Sequence, residues 1–325
     1  MDSIQSLRKR AAKQLAGAEV PLVGKIRKPL SALPFPYTAP TTPQNVEAPE
    51  RSTMTGTNFP TDWARSEPAR MTRAVIIDTM MRPVMNGLAQ PTRTGIDRLD
   101  GLKGPAVFAA NHHSHLDTPL LLSSLPSPWR HRVVIGAAAD YFFGTRLTGA
   151  LSALAIGAIP IDRNKVSRTS TDLARDLVEE GWSLVVFPEG GRSPDGWGQP
   201  FRGGAAFIAQ RADVPVVPVH IEGTGRILSK GNSVPRPSRT TITFGKPVHC
   251  EENEDIRSFN ERIEAQVSEL ADEAMTDWWQ AKKRAHAGDT PSLTGPQTAS
   301  WRRIWELDSE RRPQFGRNKK RAWPR

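Results

Sequence analysis

Residues 106–117 read Ala-Val-Phe-Ala-Ala-Asn-His-His-Ser-His-Leu-Asp, five apolar residues of strand length followed at once by a polar turn. Such a run is the pattern of a buried strand delivering side chains to its carboxyl end, where open α/β sheets bind their ligands. Outward from it, β-prone runs at 106–109, 132–136, 156–161, 183–187, 214–221 and 240–244 alternate with helix-like segments. The alternation predicts an α/β domain with a central, mostly parallel mixed sheet flanked by helices. Helices are expected from Thr171 or Asp172 to Glu180, over 204–211, and along a charged stretch at 254–284 that closes the domain.

Ahead of the sheet, Ile77, Met80, Met81, Val84, Met85 and Leu88 recur at helical three-four spacing, with Pro83 expected to kink or interrupt the helix. This stripe fits either packing against the following domain or docking on a membrane. The chain then divides into a polar, Pro-rich arm (1–68), expected to be disordered, a domain with a leading amphipathic helix (69–285), and a basic tail (286–325). In the tail Trp301, Arg302, Arg303, Trp305, Lys319, Lys320, Arg321 and Trp323 interleave aromatic and cationic groups. That mixture suits a membrane surface, a solvated tail or, more weakly, single-stranded nucleic acid.

Forty-four Lys and Arg against 34 Asp and Glu give the 325-residue chain a formal charge of +10. Anionic partners follow: phospholipid headgroups, phosphorylated metabolites, coenzyme A or nucleic acid. Cys250 is the single cysteine, which excludes an internal disulfide framework and suits a reducing compartment. Behind Arg8, Lys9, Arg10 and Lys13 no apolar core of secretory type follows, so no signal peptide is expected. Nor does any stretch approach the ~18 unbroken apolar residues of a spanning helix. Membrane contact is expected to be peripheral, at the cytoplasmic face.

Two chemistries compete for the turn at 111–117. In the first, Asp117 accepts from one ring nitrogen of His112, fixes its tautomer and leaves the other to take a proton from a hydroxyl. Five residues on one helix would turn the two side chains about 140° apart, so His112 must lie in the turn before the helix. In the second, His113, His115 and Asp117 alternate as zinc ligands do, copying most of the His-x-His-x-Asp-His signature of metal-dependent hydrolases. Position 118 is Thr where that signature needs its last histidine, and His220 and His249 are the only well-placed distant imidazoles. No metal is therefore assigned.

Two later segments end strands in groups suited to an anion. Gly157 to Arg163 closes on a guanidinium, the side chain best shaped for bidentate phosphate contact. Phe187-Pro188-Glu189-Gly190-Gly191-Arg192-Ser193 places a glycine turn where backbone N–H groups can approach a ligand and Glu189 can accept from hydroxyls. His112, Arg163, Glu189 and Arg192 could then converge on one cleft.

With these blocks, and Val214-Pro215-Val216-Val217-Pro218-Val219 as a fourth, residues 104–244 resemble the glycerophospholipid acyltransferases typified by bacterial lysophosphatidic acid acyltransferase. The resemblance implies that fold, with His112 as general base and Asp117 as its orienter. It further implies that Arg163, Glu189 and Arg192 hold a phosphorylated acceptor, helped by Arg202 in Phe201-Arg202-Gly203-Gly204. Gly191 departs from the family's usual Thr, which bears on the acceptor more than on the reaction.

The implied reaction needs no cofactor: acyl-coenzyme A or acyl carrier protein is a co-substrate, and the acceptor is a phosphorylated glycerolipid, foremost 1-acylglycerol 3-phosphate. Glycerol 3-phosphate or another lysolipid would use the same dyad. Ser114, Ser193 and Cys250 sit in no recognisable nucleophile elbow, so no covalent enzyme intermediate is expected. Expected partners are the acyl donor, the lipid acceptor and an anionic membrane surface, with nucleic acid disfavoured. A non-catalytic adaptor for membrane or nucleic acid is the remaining alternative.

Overall fold

The computed structural model describes residues 55–162, 168–193, 195–228, 234–296, 298 and 302–303, which all fall in one unit, Thr53–Arg325. Helix α1 (Glu67–Val75) runs through a π-helical turn (Ile76–Met81) into α2 (Arg82–Ala89). Then follow β1 (Pro91–Thr94), β2 (Val107–Ala110), α3 (Asp117–Ser124), β3 (Val133–Ala138), α4 (Arg146–Ile156), β4 (Ala158–Ile161) and α5 (Arg168–Glu179). The chain continues through β5 (Ser183–Val186), α6 (Gly204–Arg211), β6 (Val216–Glu222), β7 (Thr240–Phe244), α7 (Ile256–Met275) and α8 (Trp278–Ala287).

The strands form one seven-stranded sheet in the order β1-β7-β6-β2-β5-β3-β4. From β6 to β4 all neighbours are parallel, whereas β7 pairs antiparallel with β6 and β1 parallel with β7. This is the expected mixed, mostly parallel sheet. Successive residues of β2 point to opposite faces: Phe108 and Ala110 join one core cluster with Met85, Leu120 and Leu121, while Val107 and Ala109 join the other with Leu177, Ile208 and Phe259. Burial on both faces is why this strand reads as a continuous apolar run.

Pro218 lies inside β6 without breaking the pairing to β2. Its carbonyl accepts from Gly245 N at 2.8 Å, so its missing N–H also faces β7, whose ladder stops at Phe244. The five parallel strands thus keep their register, and their carboxyl ends stay aligned.

Several boundaries differ from the sequence expectation. The helix over Ile156 continues until Gly157 adopts φ 67°, so β4 begins at Ala158 and not at 156. Helix α4 and the edge strand β1 were not anticipated, and α5 starts at Arg168, ahead of Thr171. The long closing helix is two helices: Asp277 caps α8 by accepting from Gln280 N, and Arg284 and Lys282 pin it back on Asp272 and Glu269 of α7. Packing also reaches ahead of residue 69, with Phe59, Thr61 and Ala64 buried.

Pro83 neither breaks nor ends the leading helix. It lacks an N–H and crowds the carbonyl four residues back, and the wider π turn just before it takes up the misfit. The stripe of apolar residues thereby splits between two faces. Ile77 and Met85 are buried and Met81 and Leu88 pack on the core, whereas Met71, Val75, Met80 and Val84, spaced four, five and four, are each more than half exposed. Buried Arg73 joins α1 to α4 by donating to the carbonyls of Ala64, Ala153 and Leu154.

Candidate active site

The turn at 111–116 is folded around one carboxylate. Asp117, fully buried at the first position of α3, accepts through Oδ2 from His112 Nδ1 (2.9 Å), His113 N (2.7 Å) and Ser114 N (2.8 Å). Its Oδ1 accepts from Thr224 Oγ1 (2.5 Å), and the amino end of α3 adds a favourable dipole. An ionised carboxylate only accepts, so His112 carries its proton on Nδ1 and keeps the Nε2 lone pair for the cavity that it lines. The ring stacks on Phe187 with centroids 4.3 Å apart. Ser114 is a turn former: its Oγ donates to Leu228 O and accepts from Leu116 N.

Asn111 had no role in the sequence reading. Fully buried, it exchanges two hydrogen bonds with the backbone of Ile221 (2.7 and 2.8 Å), extending the β2–β6 pairing by a side chain and fixing where the histidine turn begins. Its amide also lies 3.0 Å from His113 Nδ1. Thr224 belongs to no motif and was missed with it.

A second buried carboxyl sits behind the turn. Glu189, 1% exposed, accepts from His112 N through Oε1 (2.9 Å) and from Gln199 N through Oε2 (3.0 Å). Burial outweighs those two donors and raises its pKa to about 7. The resemblance set Glu189 against the acceptor; in the structure both its oxygens accept from backbone N–H groups, and it is not among the residues that line the cavity. Its position makes it a brace between the loops after β2 and β5. Ser193 N, donating to His112 O at 2.9 Å, is a further tie between those loops.

The cavity in front measures about 940 Å³, near the upper end of the ~300–1,000 Å³ range of ligand pockets. His112, His115, Asp162, Arg192 and Arg202 are among its polar lining residues, beside Gly190 and Gly191, and Ile135, Ala137, Phe142, Ile156, Val186 and Phe207 are among its apolar ones. Gly190 has φ 72°, so the backbone favours glycine here, and a Cβ would come within 2.8 Å of the Arg202 guanidinium and push it aside. At Gly191 a Cβ would meet nothing within 4 Å. Arg163 lies outside the described residues.

The alternating histidines do not converge. His113 faces Asn111, while His115 stacks on Tyr141 (5.2 Å) with its Nε2 3.2 Å from the phenol oxygen. Burial lowers the pKa of His115, and the charge of Arg192 lowers it further. Among the described residues no three His, Cys, Asp or Glu side chains are grouped to hold a metal ion. His115 lines the cavity.

Glu189 sets a pH dependence whose sign is fixed. Its folded-state pKa of about 7 exceeds the ordinary carboxyl value of 4.5, so the folded protein holds a proton that the unfolded chain releases. Stability is therefore lost as pH rises from about 4.5 to about 7, by on the order of 3 kcal/mol in all. Thermal melts of wild type and Glu189→Gln between pH 5 and 8 should show the difference moving against the wild type as pH rises; a constant difference would refute this. For the glycines, Gly190→Ala should displace Arg202 and lower the melting temperature by about 3 °C, while Gly191→Thr should stay within about 1 °C of wild type.

Residues 87–222 match the Acyltransferase family model. The chain is 34% identical over 159 residues to 1-acyl-sn-glycerol-3-phosphate acyltransferase BAT2, chloroplastic, of Brassica napus, covering 48% of this chain and 44% of that one. It is 35% identical over 118 residues to 1-acyl-sn-glycerol-3-phosphate acyltransferase beta of Homo sapiens, covering 35% and 40%. The chain spans about half the length, or less, of these curated relatives. The crystal structure of the 1-acyl-sn-glycerophosphate acyltransferase PlsC from Thermotoga maritima shares its fold, with a TM-score of 0.53 and 21% identity over 66% of this chain and 86% of that one. Residues 87–222, which hold His112, Asp117, Glu189 and Arg192, are thus similar to the acyltransferase family, and lysophosphatidic acid acyltransferases are among the proteins that this chain resembles.

Proposed function

We propose that the protein transfers a fatty acyl group from an acyl thioester, coenzyme A or acyl carrier protein, to the free hydroxyl of 1-acylglycerol 3-phosphate, giving phosphatidic acid. One observation carries the reading: His112, oriented by buried Asp117, opens onto a cavity lined by Arg192 and Arg202 and by many apolar side chains. His112 Nε2 takes the hydroxyl proton as the oxygen attacks the thioester carbonyl. The new C–O ester bond forms, the C–S bond breaks, and the imidazolium returns the proton to the departing thiolate. Arg192 and Arg202 hold the acceptor phosphate by charge-assisted hydrogen bonds, and Arg163 joins them by its motif alone. Glu189 keeps the His112 backbone in place from behind.

The relatives named above are, by their names, 1-acyl-sn-glycerol-3-phosphate acyltransferases, which favours that acceptor over glycerol 3-phosphate. Purified protein incubated with acyl-coenzyme A and a panel of lysolipids and polyols should release thiol fastest with 1-acylglycerol 3-phosphate. Turnover with no phosphorylated acceptor sinks the proposal. His112→Ala should lower kcat by about two to four orders of magnitude while His113→Ala remains active.

Both substrates reside in or beside a bilayer, and we propose peripheral contact with an anionic membrane at its cytoplasmic face. Among the described residues no helix is long and apolar enough to cross a membrane. Tyr141, which lines the cavity, and Leu147 and Leu151 on α4 are each more than half exposed, as are Met71 and Val75 on the adjoining α1. Replacing Leu147 and Leu151 together by Glu should abolish sedimentation with vesicles containing anionic lipid. Turnover of a short-chain, water-soluble acceptor should survive; an unchanged vesicle fraction would place the contact elsewhere.

A further inference from the structure

The segment after α8 returns to the loop that carries Arg192. Leu293 packs at the edge of the core, and its carbonyl accepts from Gly198 N at 2.8 Å. Gly295, at φ 66°, lies so close to the Trp197 indole that a Cβ there would come within 2.3 Å of the ring. Trp197 Nε1 donates to Arg303 O (2.8 Å), and Arg303 in turn donates through Nε to Asp195 Oδ2 (2.8 Å) and through Nη1 to Pro296 O (2.9 Å). Both members of the Asp195–Arg303 pair are only 20% exposed, so the pair is screened less than one at the surface.

The other side of the same loop is fastened to the site. Gln199 donates from its backbone to Glu189 Oε2 (3.0 Å) and from its side chain to Arg192 O (3.3 Å), while Ser193 Oγ accepts from Gly196 N (2.7 Å). Arg192 therefore stands on a loop clamped between Glu189 and the carboxyl-terminal segment. Neither the family match nor any of the four sequence blocks includes 291–303.

We infer that residues 291–296 together with Arg303 form a strap, closed by the Asp195–Arg303 ion pair, that positions Arg192 for the phosphate of the acceptor. Asp195, Trp197 and Arg303 are positioning residues: they act through the loop and do not line the cavity. The strap gives the beginning of the basic tail a task that is neither lipid nor nucleic-acid binding. Its link to phosphate rests on the proposed acyl transfer, whereas its hold on the loop does not.

The test uses the full chain with Arg303→Glu, which sets two acids against each other, and Arg303→Lys, which keeps the charge. Amide hydrogen exchange over 192–200 should quicken about tenfold or more in Arg303→Glu and stay near wild type in Arg303→Lys. KM for 1-acylglycerol 3-phosphate should rise about tenfold in Arg303→Glu with kcat within about twofold, and Arg303→Lys should restore it. Exchange unchanged by Arg303→Glu overturns the strap. Quickened exchange with KM unmoved, or with kcat and melting temperature falling together, overturns the positioning of Arg192. Should wild type turn over no phosphorylated acceptor, the reading of function falls, and the exchange measurement still decides whether the strap exists.

Discussion

The site depends on one buried negative charge. A carboxylate removed from water is costly unless donors surround it, and Asp117 gathers four: an imidazole, two backbone N–H groups and a hydroxyl. Two of the donors are consecutive amides, of His113 and Ser114, so the turn itself is wrapped around the carboxylate. Thr224 reaches it from the turn after β6, which ties the turn after β2 to a second strand end. Once those contacts are made, His112 has one tautomer and one orientation, and the ring is further held flat on Phe187. In the same turn His113 faces Asn111 while His115 stacks on Tyr141, so the two rings have different neighbours.

Glu189 repeats the device one strand over with a different balance. Where Asp117 has four donors, Glu189 has two, and burial wins: its pKa rises to about 7. The two carboxyls lie behind the reactive face, while Arg192, Arg202 and His112 line its front. Two guanidinium groups thus face the cavity, and the two buried carboxyls hold the turn that carries His112.

Much of this was legible in the sequence, for a physical reason. Strands buried on both faces read as short apolar runs, and the groups at their carboxyl ends are polar by contrast, so 107–117 and 183–193 announce both strand and site. The separation of His112 and Asp117 itself demanded a turn before a helix. What stayed hidden was decided by partners far along the chain. Asn111 and Thr224 matter because of Ile221 and Asp117, about a hundred residues away, and nothing local distinguishes them from ordinary polar residues. Edge strand β1, Pro-Thr-Arg-Thr, owes its existence to the neighbouring β7 and has no apolar signal of its own. Gly157 was read as part of a strand because Ile156 and Ile159 flank it, though its left-handed conformation makes it the end of α4.

The leading helix shows how a single periodicity can serve two surfaces. An α-helix that carries apolar residues at both i+3 and i+4 spacings presents a stripe too wide for one partner. Here Ile77 is buried and Met85 joins the core cluster of Leu120 and Phe108, while Met80 and Val84 remain outside. An unbroken α-helical repeat would let the outer row drift around the axis; the π turn inserts one residue and keeps Met71, Val75, Met80 and Val84 in step. The same turn relieves the clash that Pro83 imposes. Packing against the domain and presenting an apolar outer face were therefore never alternatives, since the proline that seemed to threaten the helix coincides with the distortion that lets it do both.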